Sequence, residues 1–173
     1  FNGPFSFKSS TGNVSVVGNY KQSLKNGNWE IVLTNVLNSD LLFNSTITAK
    51  VSGTFLDGNL NGQWSLDRTK FISFANNGIS SYYQSQLNGF SYLFDGKAVD
   101  FSKVTKVTET SKANFKDNHF DGQFTYNINN GKSTINGQFD EDGYLNGIWT
   151  VNYYSEGVLH FLNMSYQNGV LLT

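Results

Sequence analysis

The side chains in this sequence that could do chemistry are few and scattered. Two histidines, His119 and His160, stand far apart, and there is no cysteine. A structural zinc site draws on several Cys or His ligands, so the composition implies no transition-metal centre. The lack of cysteine also removes disulfides and thiolate nucleophiles. The densest acidic stretch, Asp140-Glu141-Asp142-Gly143, sets three carboxylates in succession. Oxygen ligands cluster this way around calcium, but the EF-hand spacing is missing, and a solvated hairpin tip is the plainer reading. Paired carboxylates could serve a glycosidase. Here, however, Asp57, Asp95, Asp121 and Asp142 each precede a glycine, where turn geometry alone accounts for an Asp. There is no Gly-x-Ser-x-Gly elbow, phosphate loop or dinucleotide fingerprint. The expectation is a protein that is not an enzyme and needs no cofactor or metal.

Aromatic residues are the one abundant resource, at 16% of the chain. Exposed rings on a sheet can stack on sugars. Tyr82, Tyr83, Phe90 and Tyr92 form the best candidate for such a ligand-binding band, with core packing as the plainer alternative. Charge excludes other partners. The net charge is −1 and no two basic residues are adjacent, so no basic patch for nucleic acid or anionic lipid is visible. No apolar run is long enough to span a membrane as a helix. Phe1 is not an initiator methionine, which points to a processed or trimmed chain. Low charge, with abundant Asn, Gly and aromatics, suggests a bacterial cell-envelope protein.

The elements that must position these groups are repeated. Val16-x-Gly18-x-Tyr20 is followed by Leu24, Gly27 and Trp29; Val51-x-Gly53-x-Phe55 by Leu60, Gly62 and Trp64. A degenerate copy reads Ala113-x-Phe115, then Phe120, Gly122 and Phe124. A fourth, with one extra turn residue, reads Ile135-x-Gly137-x-Phe139, then Leu145, Gly147 and Trp149. Alternation along a strand places Val51, Gly53 and Phe55 on one face and Ser52 and Thr54 on the other. Thirteen of the 17 glycines follow Asn or Asp, the strongest short-range hairpin signal. If Phe55 lies opposite Trp64, then Gly53 lies opposite Leu66 and Gly18 opposite Ile31. A strand glycine leaves a gap that a neighbouring ring can cover, which is a reason for Gly and Trp to recur together.

These residues predict an all-β chain, an antiparallel meander of hairpins in one twisted or partly wrapped sheet, with little or no helix. Residues 1–173 form a single domain, with clear repeats at 14–37, 47–67 and 113–173 and an irregular aromatic segment at 79–112. Phe1–Ser10 is expected as an edge strand and Phe43–Phe55 as a regular one. Asn38-Ser39-Asp40 is expected as a turn. Trp29, Ile31 and Leu33 share a face while Val32 and Val36 make the other partly apolar, which suggests cover on both sides. Phe71 and Phe74 fall out of phase, which suggests a bulge near Arg68. Lys103–Lys112, polar and threonine-rich, reads as an exposed strand. His160 alternates with Val158, Leu162 and Met164, as a core or edge residue would.

The spacing Gly53-x-Phe55-x-x-Gly58-x-x-x-Gly62-x-Trp64 resembles the MORN repeat, in the bacterial variant where an aromatic follows the last glycine. Tyr126–Leu172 is similar, with turns at Asn130-Gly131, Glu156-Gly157 and Asn168-Gly169. The resemblance implies a hairpin-repeat scaffold that meets a protein partner through a sheet face or edge. A carbohydrate-binding module is the alternative.

Overall fold

The structure, a computed structural model, describes residues 1–39, 43–74, 105–129, 131–155 and 157–172. Among them are twelve strands and no helix: β1 (Gly3–Lys8), β2 (Val14–Lys21), β3 (Leu24–Lys25), β4 (Gly27–Ser39), β5 (Phe43–Leu56), β6 (Asn59–Phe74), β7 (Thr105–Lys116), β8 (His119–Ile128), β9 (Ser133–Phe139), β10 (Leu145–Ser155), β11 (Val158–Gln167) and β12 (Val170–Leu172). All pair antiparallel in one open sheet, in chain order except that short β3 pairs with β2 alone. The sheet is a meander with β1 and β12 at its edges, not a barrel.

Tight turns set this order. Leu56 pairs with Asn59, and both residues between them, Asp57 and Gly58, have positive φ. That is the type I′ signature, whose twist matches the flanking strands. Asp117-Asn118 and Asn168-Gly169 do the same. The tips are also stitched together. The second turn residue donates its N–H to a carbonyl four residues before the aromatic of the preceding hairpin: Gly58 to Lys25 (2.8 Å), Asn118 to Leu60 (3.1 Å) and Gly169 to Leu145 (2.9 Å).

One face carries the core. By register, the ten buried residues among those described lie on it: Trp29, Ser45, Ala49, Val107, Glu109, Ala113, Ile128, Ser133, Gly137 and Trp149. The opposite face is mostly polar and cross-linked between strands. Lys50 and Glu30 form an ion pair at 2.6 Å, and the Ser52 and Ser65 hydroxyls lie 3.0 Å apart.

The glycines explain how flat indoles bury themselves on a single layer. Neighbouring strands are only about 4.8 Å apart, too close for large rings side by side. Across nine strands the sheet alternates ring and small residue: Phe5, Gly18, Trp29, Gly53, Trp64, Ala113, Phe124, Gly137, Trp149. Each glycine is a slot. A Cβ on Gly18 would lie 2.2 Å from the Trp29 ring, on Gly53 2.0 Å from Trp64, and on Gly137 2.1 Å from Trp149. Phe5 and Trp29 stack over Gly18, and Phe124 and Trp149 over Gly137, both with centroids 5.7 Å apart. Each indole N–H donates to the carbonyl of the residue after its glycine: Asn19 (3.2 Å), Thr54 (3.1 Å) and Gln138 (3.1 Å). Where the slot holds Ala113, the ring of the next strand is the smaller Phe124.

The pairing of Gly and Trp is as the spacing implies, but the register is not. Phe55 pairs with Leu60, not Trp64; Leu66 faces Val51, not Gly53; and Ile31 faces Val16, not Gly18. The cause is a bulge. Gly62 at φ 67° lets three residues, Gly62 to Trp64, sit opposite Gly53, so the faces are kept while the pairing shifts by two. No bulge occurs near Arg68: the β5–β6 ladder is continuous from Val51–Leu66 to Phe43–Phe74. Phe71 simply faces outward, 43% exposed. Val36 does not make the second face apolar. A bulge at Asn35 (φ 50°), whose N–H reaches Thr48 Oγ1 at 3.3 Å, turns Val36 back to the face of Leu33 and opposite Ile47. Of the expected turn Asn38-Ser39-Asp40, Asn38 and Ser39 are still strand, paired to Ser45 and Asn44, and Asp40 lies outside the described residues. The stretch expected as an exposed strand is central from Thr105 on, with Val107 2% exposed.

The slot makes a specific demand. Gly53→Ala should destabilise the fold by about 2 kcal/mol, because the methyl group overlaps the Trp64 ring. Gly53→Ala combined with Trp64→Phe, which copies the Ala113–Phe124 pair, should recover part of that loss. A urea-denaturation double-mutant cycle checks this, and additive losses would refute the slot.

Candidate functional site: a charged concavity and an open edge

Strands β6 to β10 bring unexpected chemistry to the core face. Leu66, Arg68 and Lys70 alternate along β6 toward that face, and Val107 and Glu109 do so along β7. Arg68, the only arginine of the chain, pairs directly with Glu109. Its Nε donates to Glu109 Oε2, and Lys70 Nζ lies 3.6 Å from the same oxygen. Tyr126 OH donates to Oε1 at 3.0 Å. The Glu109 side chain is 6% exposed, while Arg68 and Lys70 keep 31% and 27% of their surface in solvent.

Burial alone would raise the Glu109 pKa. The hydrogen bond and charge of Arg68, the charge of Lys70 and the Tyr126 hydroxyl outweigh it and hold the carboxyl below its ordinary value of 4.5. The same hydrogen bond raises Arg68 further, against its own burial.

Beside this cluster is a half-open concavity of about 590 Å³. Ile128, Ile135, Val151 and Tyr153 give it apolar walls; Lys70, Glu109, Tyr126 and Ser133 supply polar groups. Ser133 is 6% exposed and its hydroxyl has no hydrogen-bond partner. Tyr153 stacks on His160 of the next strand with centroids 5.1 Å apart.

The second feature is an edge. β12 is three residues long and pairs only with Ser165–Gln167 of β11. Among the described residues, Val158 to Met164 therefore has a strand, β10, on one side only. Exposed apolar side chains line it: Val158, Phe161 and Leu162, with Phe161 at 68%.

Tyr82, Tyr83, Phe90 and Tyr92 lie outside the described residues. Of the histidines, both are exposed and His160 is not a core residue. His119 opens β8 and His160 lies near the start of β11, and since these two strands run in opposite directions the histidines stand at opposite ends of the sheet. Asp140 is occupied by its own turn: Oδ1 accepts from the N–H groups of Asp142 (3.1 Å) and Tyr144 (2.9 Å). Among the described residues no group of three or more His, Cys, Asp or Glu is placed to hold a metal ion. Nor is any helix there long and apolar enough to cross a membrane. The Arg68–Glu109 cluster was missed by sequence reasoning, though opposite charges in the inward phase of two strands were its signal. No protein-family model matches the chain. No curated protein matches it either.

Since Glu109 is held ionised by the fold, its contribution is present at neutral pH and is lost as pH falls below 4.5. Glu109→Gln should cost about 2 kcal/mol at pH 7, after allowing for the partly solvated cations. The gap to wild type should narrow at pH 3.5, measured by chemical denaturation. A gap independent of pH would refute the role of the charge.

Proposed function

We propose that the chain is a non-enzymatic, MORN-like β-repeat module of the bacterial cell envelope that holds a protein partner along the outer edge of β11. The observation that carries this reading is the contrast between the two edges. An unpaired strand is a template for further pairing, and proteins blunt such edges with proline, charge or brevity. β1 is guarded in this way: it has six residues, with Pro4 near its start and Lys8 at its end. From Val158 to Leu172 there is neither a proline nor a charged residue. An edge so undefended, with Phe161 and Leu162 beside it, suits strand addition, in which backbone hydrogen bonds supply affinity and alternate side chains supply selectivity. The described acids fit a scaffold too. Asp57, Asp117 and Asp140 serve turns, and Glu109 is saturated by two cations and a phenol.

A photo-crosslinker at Phe161 should capture a protein from envelope extracts of the source cell, whereas one at Phe7 on β1 should not. Leu162→Lys should abolish capture while changing stability by less than about 0.5 kcal/mol, as surface substitutions do. Equal capture at both edges, or a sharp hit on a glycan array without any protein captured, would overturn the reading in favour of a diffuse surface or a sugar-binding module.

A further inference from the structure

We infer that the concavity between β6 and β10 is a binding site for a small monocarboxylate with an apolar body. The argument starts from charge. Two cations, Arg68 and Lys70, converge on one carboxylate, which leaves the cluster one positive charge in excess. Glu109 has both oxygens engaged, Oε2 by Arg68 and Lys70 and Oε1 by Tyr126. Lys70 is the less committed cation, since 3.6 Å from Glu109 is beyond a good hydrogen bond for an ammonium with three donors. A head group that accepts hydrogen bonds and carries one negative charge complements it.

Ser133 points to the same conclusion independently. Its hydroxyl is buried and without a partner, and leaving such a group unmade costs about 1–3 kcal/mol. It lines the same concavity as Lys70. A polar head group held there would offer an acceptor to each. The remaining walls, Ile128, Ile135, Val151 and the Tyr153 ring, are apolar, so the ligand needs a hydrocarbon or aromatic body behind its head. A phosphate ester or dianion does not match a single excess charge and a mostly apolar lining. A neutral sugar would leave the excess positive charge of the cluster unmatched.

Octanoate and 1-octanol, which share a chain and differ in the head, test this by calorimetric titration of the full chain. Octanoate should bind at least tenfold tighter than octanol. Lys70→Met should erase that preference, and Ser133→Ala should weaken octanoate several-fold. Folding does not confuse the result. Ser133→Ala removes an unsatisfied buried hydroxyl, so the variant should be as stable as wild type or more so. Equal affinities for the two probes, no heat up to millimolar octanoate, or an unchanged preference in Lys70→Met would each overturn the inference.

Discussion

Everything in this sheet depends on fitting indole rings into a layer whose strands are too close for them. Among the described residues no opposing sheet buries the apolar face of this layer. Trp29 and Trp149 nonetheless reach 5% and 7% exposure, because each lies down over a glycine of the strand before it. The missing side chain gives the ring a floor, the neighbouring ring gives it a wall, and the carbonyl next to the glycine takes its N–H. Lys25 closes the row over Trp29 and Phe55, 5.4 and 4.9 Å above their centroids. Aromatic area thereby does the work that a second layer does in a sandwich.

This solution divides the molecule into regions with different duties. The hairpin-tip half of the core face is given to rings. The other half replaces the glycine–tryptophan row with Arg68, Glu109, Ile128 and Ser133 beside Tyr126 and Tyr153, and the concavity lies there. The polar face, with its Ser–Ser and Lys–Glu pairs, is compatible with water. Among the described residues, the β11 border combines backbone without a strand partner with exposed Val158, Phe161 and Leu162, and no charge or proline guards it.

The all-β class, the hairpin order and the Gly–Trp coupling were legible because they rest on period-two alternation and on Asn-Gly and Asp-Gly turns, both local signals. The register was not. It depends on bulges at Gly62 and Asn35, and a bulge is a residue in left-handed conformation whose need appears only when the partner strand is in place. Glycine before Trp was read as turn material when it also shifts the ladder. Phe71 and Phe74 out of phase suggest a slip near Arg68, but the ladder is continuous: Phe71 faces outward, and the inward Arg68 meets its counter-charge 41 residues away on the adjacent strand. Glu109 hid in a threonine-rich segment. The candidate sugar-binding tyrosines stood out by density alone, which says nothing of placement.

The order of the strands has a mechanical consequence. Among the described strands, neighbours in the sheet follow one another in chain order apart from β3, and there is no second layer among the described residues to share a load. Tension between the two termini would reach the ladder at its outermost ribbons first and open it like a zip, one row of hydrogen bonds after another. Such a molecule would lengthen in steps under modest force and close again when released. A shear-locked sandwich, in contrast, holds until it fails all at once.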